Sequence, residues 1–168
     1  DWQAFGQQNS VSGTVNFDNI VLDERYLTRR SGPMKRTGLT FPQILHAAID
    51  TGIAAGALQA AVEYLREHAR AWVESGVERA SDEPHVIRQI GEYAVALRGA
   101  ESVLREAARV FDEHERDPEN KALQDELILS VATARAHSDA ASLKISSDLF
   151  SLLGASASLS KWNLDRFW

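Results

Sequence analysis

With 168 residues, 44% of them hydrophobic and 25% charged, the chain has the make-up of one globular domain large enough to bury a core. A formal net charge of −6 excludes a phosphate-backbone binder, which needs clustered Lys and Arg to displace counterions. The absence of cysteine removes disulfides, zinc–thiolate sites and thiol nucleophiles, and a reducing compartment fits. No run of about 18 apolar residues and no signal-peptide pattern occurs, so a cytoplasmic location is expected.

Residues 11–22 (VSGTVNFDNIVL) alternate, with Val11, Val15 and Phe17 on one face and Ser12, Thr14, Asn16 and Asp18 on the other, which predicts a half-buried strand. Nothing later in the chain has period-two patterning, so its sheet is either absent or supplied from elsewhere. Residues 23–38 (DERYLTRRSGPMKRTG) read as a basic, Gly- and Pro-punctuated linker.

Everything afterwards reads as helix. The first is expected over residues 41–75, with a stripe of Phe41, Ile44, Leu45, Ala48, Leu58, Val62, Leu65, Ala69 and Trp72, closed by Gly76. A second starts near Asp82 as N-cap with Pro84 in its first turn, and carries Ile87, Ile90, Ala94, Leu97, Val103, Leu104, Ala107 and Phe111 before ending near Arg116. Asp117 and Pro118 repeat that start signal for a third, with Leu123, Leu127, Val131, Ala134, Ala141, Ile145, Leu149 and Leu152 on one face and Gly154 at its end. Gly52, Gly56 and Gly99 inside these helices suggest close helix approach.

Long helices joined by short polar turns pack as an up-and-down bundle. Residues 163–168 read as the first turn and a half of a fourth member, and the chain begins at Asp1 without an initiator methionine. A piece of a larger enzyme is expected. The division is 1–27 as the end of a β domain, 28–39 as linker, and 40–168 as a helical bundle whose fourth helix is truncated.

The chemistry legible from residues alone is thin. A di-iron bundle needs Glu-x-x-His pairs, and the chain has only Glu67 beside His68 and Glu113 beside His114. His46 and Asp50 stand at i and i+4 on one face, but a lone pair does not make a metal site. No Gly-rich phosphate loop, Ser-x-x-Lys or nucleophile elbow occurs, and Ser146 and Ser147 have no evident base.

The stretch DWQAFGQQNSVSGTVNFDNIVL, followed by FPQILHAAIDTGIAAGAL, EYLREHARAWVESGVERASDEPHVIRQIGEYAVALRGAE, KISSDLFSLLGAS and LDRFW, resembles the acyl-CoA dehydrogenase superfamily. The likeness runs from the end of its middle β domain through its C-terminal four-helix bundle. It is nearest to the flavin-dependent monooxygenases of organosulfur metabolism, of the dibenzothiophene monooxygenase and sulfur-acquisition oxidoreductase type. The resemblance implies a mainly α fold, the up-and-down four-helix bundle preceded by a short β segment. It also implies that an Arg-Asn-x-Arg-Thr-His motif follows Trp168, so that no catalytic residue lies within the chain and residues 1–168 alone are inactive.

By the same resemblance, Arg70 in Ala-Arg-Ala-Trp (residues 69–72) grips the phosphate of FMN. A guanidinium suits that task, since its planar donors meet phosphate oxygens two at a time and it keeps its charge. Without the motif, Arg70 reads as a solvated arginine like Arg66, and Trp72 as core. Ser156 and Ser158 fall in the loop that approaches the flavin in similar proteins, some of which carry an arginine near Ser156. The cofactor calls are therefore Arg70, Trp72, Ser156 and Ser158, with no metal site.

The resemblance implies a two-component enzyme. A separate reductase delivers reduced FMN, a C4a-hydroperoxyflavin forms, and oxygen passes to an organosulfur or related small compound. Two alternatives stay open. One is an FAD-dependent acyl-CoA dehydrogenase, disfavoured because residues 154–164 (GASASLSKWNL) hold no Asp or Glu and because the adenine-binding Arg-x-x-Phe-Gly pattern is missing. The other is a non-catalytic helical assembly module. A homo-oligomer, dimer or tetramer, is implied in each case.

Overall fold

In the computed structural model the residues described are 2–3, 12–27 and 36–168. The chain divides into two units, residues 1–35 and 36–168.

In the first unit, Val11 lies outside the described residues, and residues 12–22 are exposed and form no strand, with a bend at Asn19 where φ is +49°. Phe17 is 77% exposed, so the alternating pattern has no sheet to pair with among the described residues. One 3-10 turn, Glu24–Tyr26, follows; Asp23 caps it by accepting from the Arg25 amide at 3.0 Å.

The second unit is built on three helices: α1, Thr40–Glu67; α2, Pro84–Arg116; and α3, Lys121–Leu153. Pro84 occupies the first position of α2, where its missing N–H leaves nothing unsatisfied. The start of α3 falls later than Asp117 predicts, because the side chain of Asn120 accepts from the amides of Ala122 and Leu123 and so takes the cap. Gly154 stops α3 at φ +79°, a left-handed conformation that glycine adopts without strain. Residues 163–168 form a 3-10 turn, Leu164–Phe167, in place of the expected α-helical turn.

The buried faces show how the bundle is assembled. On α2, Val86, Tyr93, Ala100, Ala107 and His114 are buried at intervals of seven residues, the spacing that keeps one seam turned to its neighbours in a left-handed bundle. The α3 stripe is the predicted one, with Leu127, Val131, Ala134, Ala141, Ile145 and Leu149 buried.

The α1 stripe differs from expectation. Its buried residues are Thr40, Ala47, Thr51, Ala54, Ala57, Ala61, Tyr64 and Leu65, while Phe41 and Leu45 are about half exposed. Alanine wins the interface because close approach of α1 to α3 leaves no room for longer side chains. Among the described residues α1 is the one helix that could cross a bilayer by length and composition, and here its alanine face is a seam of the bundle.

Of the predicted close-packed glycines, Gly56 alone meets a neighbour, since a Cβ there would stand 2.6 Å from the Phe167 ring. Gly52 and Gly99 face open space.

Candidate functional site

The site begins where α1 ends. The sequence pattern continues α1 to Ser75, but the helix stops at Glu67 and residues 68–79 form a loop, so Arg70 and Trp72 lie beyond the helix. Nothing in the sequence before Gly76 breaks a helix; tertiary contacts do. The His68 and Ala69 amides both turn back to the Tyr64 carbonyl, at 2.9 and 3.0 Å. Arg70 pairs through its backbone with Arg79 in an antiparallel bridge, and Gly76 takes φ +72° at the bend. The Trp72 amide donates to Glu83 Oε1 at 2.7 Å.

Glu83 is only 4% exposed, and its carboxylate, which could have capped α2, is spent on this loop. Asp82, the expected cap, instead accepts from Arg79 at 2.9 and 3.1 Å. That hydrogen bond holds the Asp82 carboxyl below the usual carboxylate range.

Residues 154–163 fold against this loop as two short 3-10 turns, Ala155–Ser158 and Ser160–Trp162. Between them and the end of α1 lies a cleft of about 700 Å³, whose lining includes Tyr64, His68, Arg70, Ser156, Lys161 and Trp162. Tyr64 Oη and Ser156 Oγ share a hydrogen bond of 2.8 Å across it. The Trp162 ring meets Tyr64 edge-on at 5.3 Å and lies 4.2 Å from the His68 ring. Its other surroundings include the Lys161 ammonium, 4.5 Å from the ring centroid.

Two of the four predicted site residues thus meet in one cleft, Arg70 and Ser156. The other two stand apart from it. Trp72 is 68% exposed and donates from its indole to Glu74 at 3.2 Å. Ser158 donates to the Ala155 carbonyl at 2.7 Å, inside its own turn.

Sequence reading missed Tyr64, His68, Lys161 and Trp162. Tyr64 and His68, at i and i+4 at the end of a helix, were the legible signal. The electrostatics favour an anion: Arg70 and Lys161 have no carboxylate partner among the described residues. The cleft also contains one acid, Glu67, whose Oε2 is 3.7 Å from His68 Nε2.

Asp50 is engaged by Arg135 of α3, and among the described residues no group of three potential metal ligands occurs.

The cleft thus collects Arg70 from the loop after α1 and Ser156, Lys161 and Trp162 from the segment after α3. The model of the acyl-CoA dehydrogenase C-terminal domain matches residues 44–168. The chain belongs to that family. Within it, the chain is 34% identical over 182 residues to a dibenzothiophene monooxygenase of Rhodococcus erythropolis, covering all of this chain and 43% of that protein. It is 28% identical to a probable FMNH2-dependent monooxygenase, SfnC, of Pseudomonas putida, again over the whole chain and 44% of the relative. Among solved structures, FMN-bound TdsC from Paenibacillus sp. A11-2 superposes with a TM-score of 0.74 at 32% identity, over 79% of this chain and 34% of that one. The chain therefore spans less than half the length of the curated relatives it matches.

Proposed function

We propose that this chain is the C-terminal helical part of an FMN-dependent monooxygenase of the acyl-CoA dehydrogenase superfamily, and that its contribution to the site is the grip on the flavin phosphate. The observation that carries this reading is Arg70, which has no carboxylate partner among the described residues, in the cleft between the end of α1 and the segment after α3. The donor set fits the group. A guanidinium, an ammonium, a serine hydroxyl and a tyrosine hydroxyl suit a phosphate, and an indole suits the flat part of a nucleotide.

When bound, reduced FMN would supply the electrons that activate oxygen for transfer to an organosulfur compound, the substrate class in the name of the Rhodococcus relative. Arg70, held by the Glu83-clamped loop, would anchor the phosphate end. The Tyr64–Ser156 hydrogen bond and the Trp162 stack would close the floor of the cleft and keep water from it, since water competes for each charged contact. Proton-handling groups would come from outside residues 1–168.

FMN is preferred to FAD because the relatives named for a flavin carry FMN or FMNH2 in their names. The same reading includes a separate reductase as partner, a cytoplasmic location, and the domain division at residues 27 and 40. A dimer or tetramer fits the apolar side chains left on helix surfaces, among them Leu45, Ile49, Val95 and Leu143.

The test is Arg70→Ala in the full-length protein. Loss of one charge-assisted phosphate contact is expected to weaken FMN binding by about tenfold or more, read by flavin fluorescence. Unchanged affinity would assign Arg70 a surface role and favour the assembly-module alternative. Bleaching of a bound FAD by an acyl-CoA would favour the dehydrogenase.

A further inference from the structure

We infer that Lys161 is the second cation of the phosphate grip and that the aromatic stack beneath it makes the site selective for a phosphorylated flavin. The inference rests on the FMN reading above and assigns the chemistry that Arg70 alone leaves unfinished. A phosphomonoester carries about −1.5 to −2 charges at pH 7, and one guanidinium neutralises only part of that. Ser156 offers a hydroxyl without charge, and Glu67 adds a negative charge to the same cleft. The remaining cation that lines it is Lys161, aside from the titratable His68.

Lys161 is suited to the task by how it is held. It has no carboxylate partner among the described residues, so its charge is not already spent. An exposed lysine is ordinarily a poor ligand because ordering its long side chain costs entropy. Here the ammonium rests 4.5 Å from the centroid of the Trp162 ring, a cation–π contact that narrows its range. The ring itself is fixed, edge-on to Tyr64 and 4.2 Å from His68. Tyr64 in turn is tied to Ser156. The stack therefore joins the end of α1 to the segment after α3, and it places the Lys161 ammonium in the same cleft as the Arg70 guanidinium.

The experiment compares FMN with riboflavin, which lacks the phosphate, on the full-length protein and its variants. Lys161→Met should weaken FMN about tenfold while riboflavin affinity stays within about twofold, and Lys161→Arg should restore most of the loss. The salt dependence of FMN binding should also flatten in Lys161→Met. Equal FMN affinity in wild type and Lys161→Met overturns the inference, and an Arg70→Ala loss in the same series leaves the FMN reading standing. A parallel fall for FMN and riboflavin also overturns it, since Lys161 would then act by supporting Trp162. If the wild-type protein binds neither flavin, the inference and the reading fall together.

Discussion

Tyr93 is 1% exposed, yet its hydroxyl has no hydrogen-bond partner among the described residues. Burial, reinforced by the Asp148 carboxylate and opposed by Lys144, pushes its pKa above the ordinary value. Because the folded-state pKa is the higher one, the neutral ring's contribution is complete below about pH 10 and is lost as pH rises through the folded value. Tyr93→Phe removes an unsatisfied polar atom and should leave stability at pH 7 unchanged or raised by about 1 kcal/mol. The steepness of alkaline unfolding should fall in that variant; identical alkaline limbs by circular dichroism would contradict this account.

Two glycines make a second pair of expectations at this scale. Gly52 faces open space within α1, so Gly52→Ala should stabilise by about 0.5–1 kcal/mol through helix propensity alone. Gly56→Ala gains the same propensity but drives into Phe167, and it should give a smaller rise in Tm than Gly52→Ala. The reverse order would show that the Phe167 contact is immaterial.

Individual residues were only partly legible. Arg70 and Ser156 came from motif resemblance. The Tyr64–His68 spacing at the end of α1 was a local signal, whereas Lys161 and Trp162 carry none, since their meeting with that helix end depends on two segments some ninety positions apart.

At the level of elements, the segment of most consequence is the loop of residues 68–79, because it carries Arg70. Periodicity alone extended α1 through it: Ala69, Ala71 and Trp72 are ordinary helix residues, and the terminator is a carboxylate eleven positions beyond Trp72. Long-range contacts of that kind override propensity without leaving a trace in local sequence. Glu83→Ala is therefore expected to speed amide exchange across residues 70–79 while α3 stays protected, and to weaken FMN binding severalfold although Glu83 does not line the cleft. Unaltered protection in that loop would mean that the Arg70–Arg79 bridge suffices to hold it.

Helix starts show the same limit in milder form. Both Asp82 and Asp117 have the chemistry of a cap, but one is occupied by Arg79 and the other stands three residues before Asn120, which caps α3.

For the whole molecule, the bundle depends on small side chains at the α1 seam and large ones on α3. Ala54 and Ala57 are fully buried, as are Ile145 and Leu149. Ala57→Leu should destabilise by about 1–3 kcal/mol through overpacking, measured as a lower urea midpoint at unchanged slope. An unshifted midpoint would show that the seam has slack. The helical class, the order of three helices and the α3 core face were readable because long periodic stripes are strong signals. The α1 face was not, because a rule that seeks large apolar residues passes over an alanine seam. The exposed ion pairs along α2, such as Arg88 with Glu92, solvate the outer face and contribute little to stability.

The Tyr64–Ser156 contact spans 92 positions of chain. A molecule seated across that junction touches two stretches that unfolding would separate, so occupancy and foldedness become one equilibrium. At a hundredfold excess over its dissociation constant, a ligand there would add about 2.7 kcal/mol to the unfolding free energy, and a melting curve would report the cofactor without any turnover.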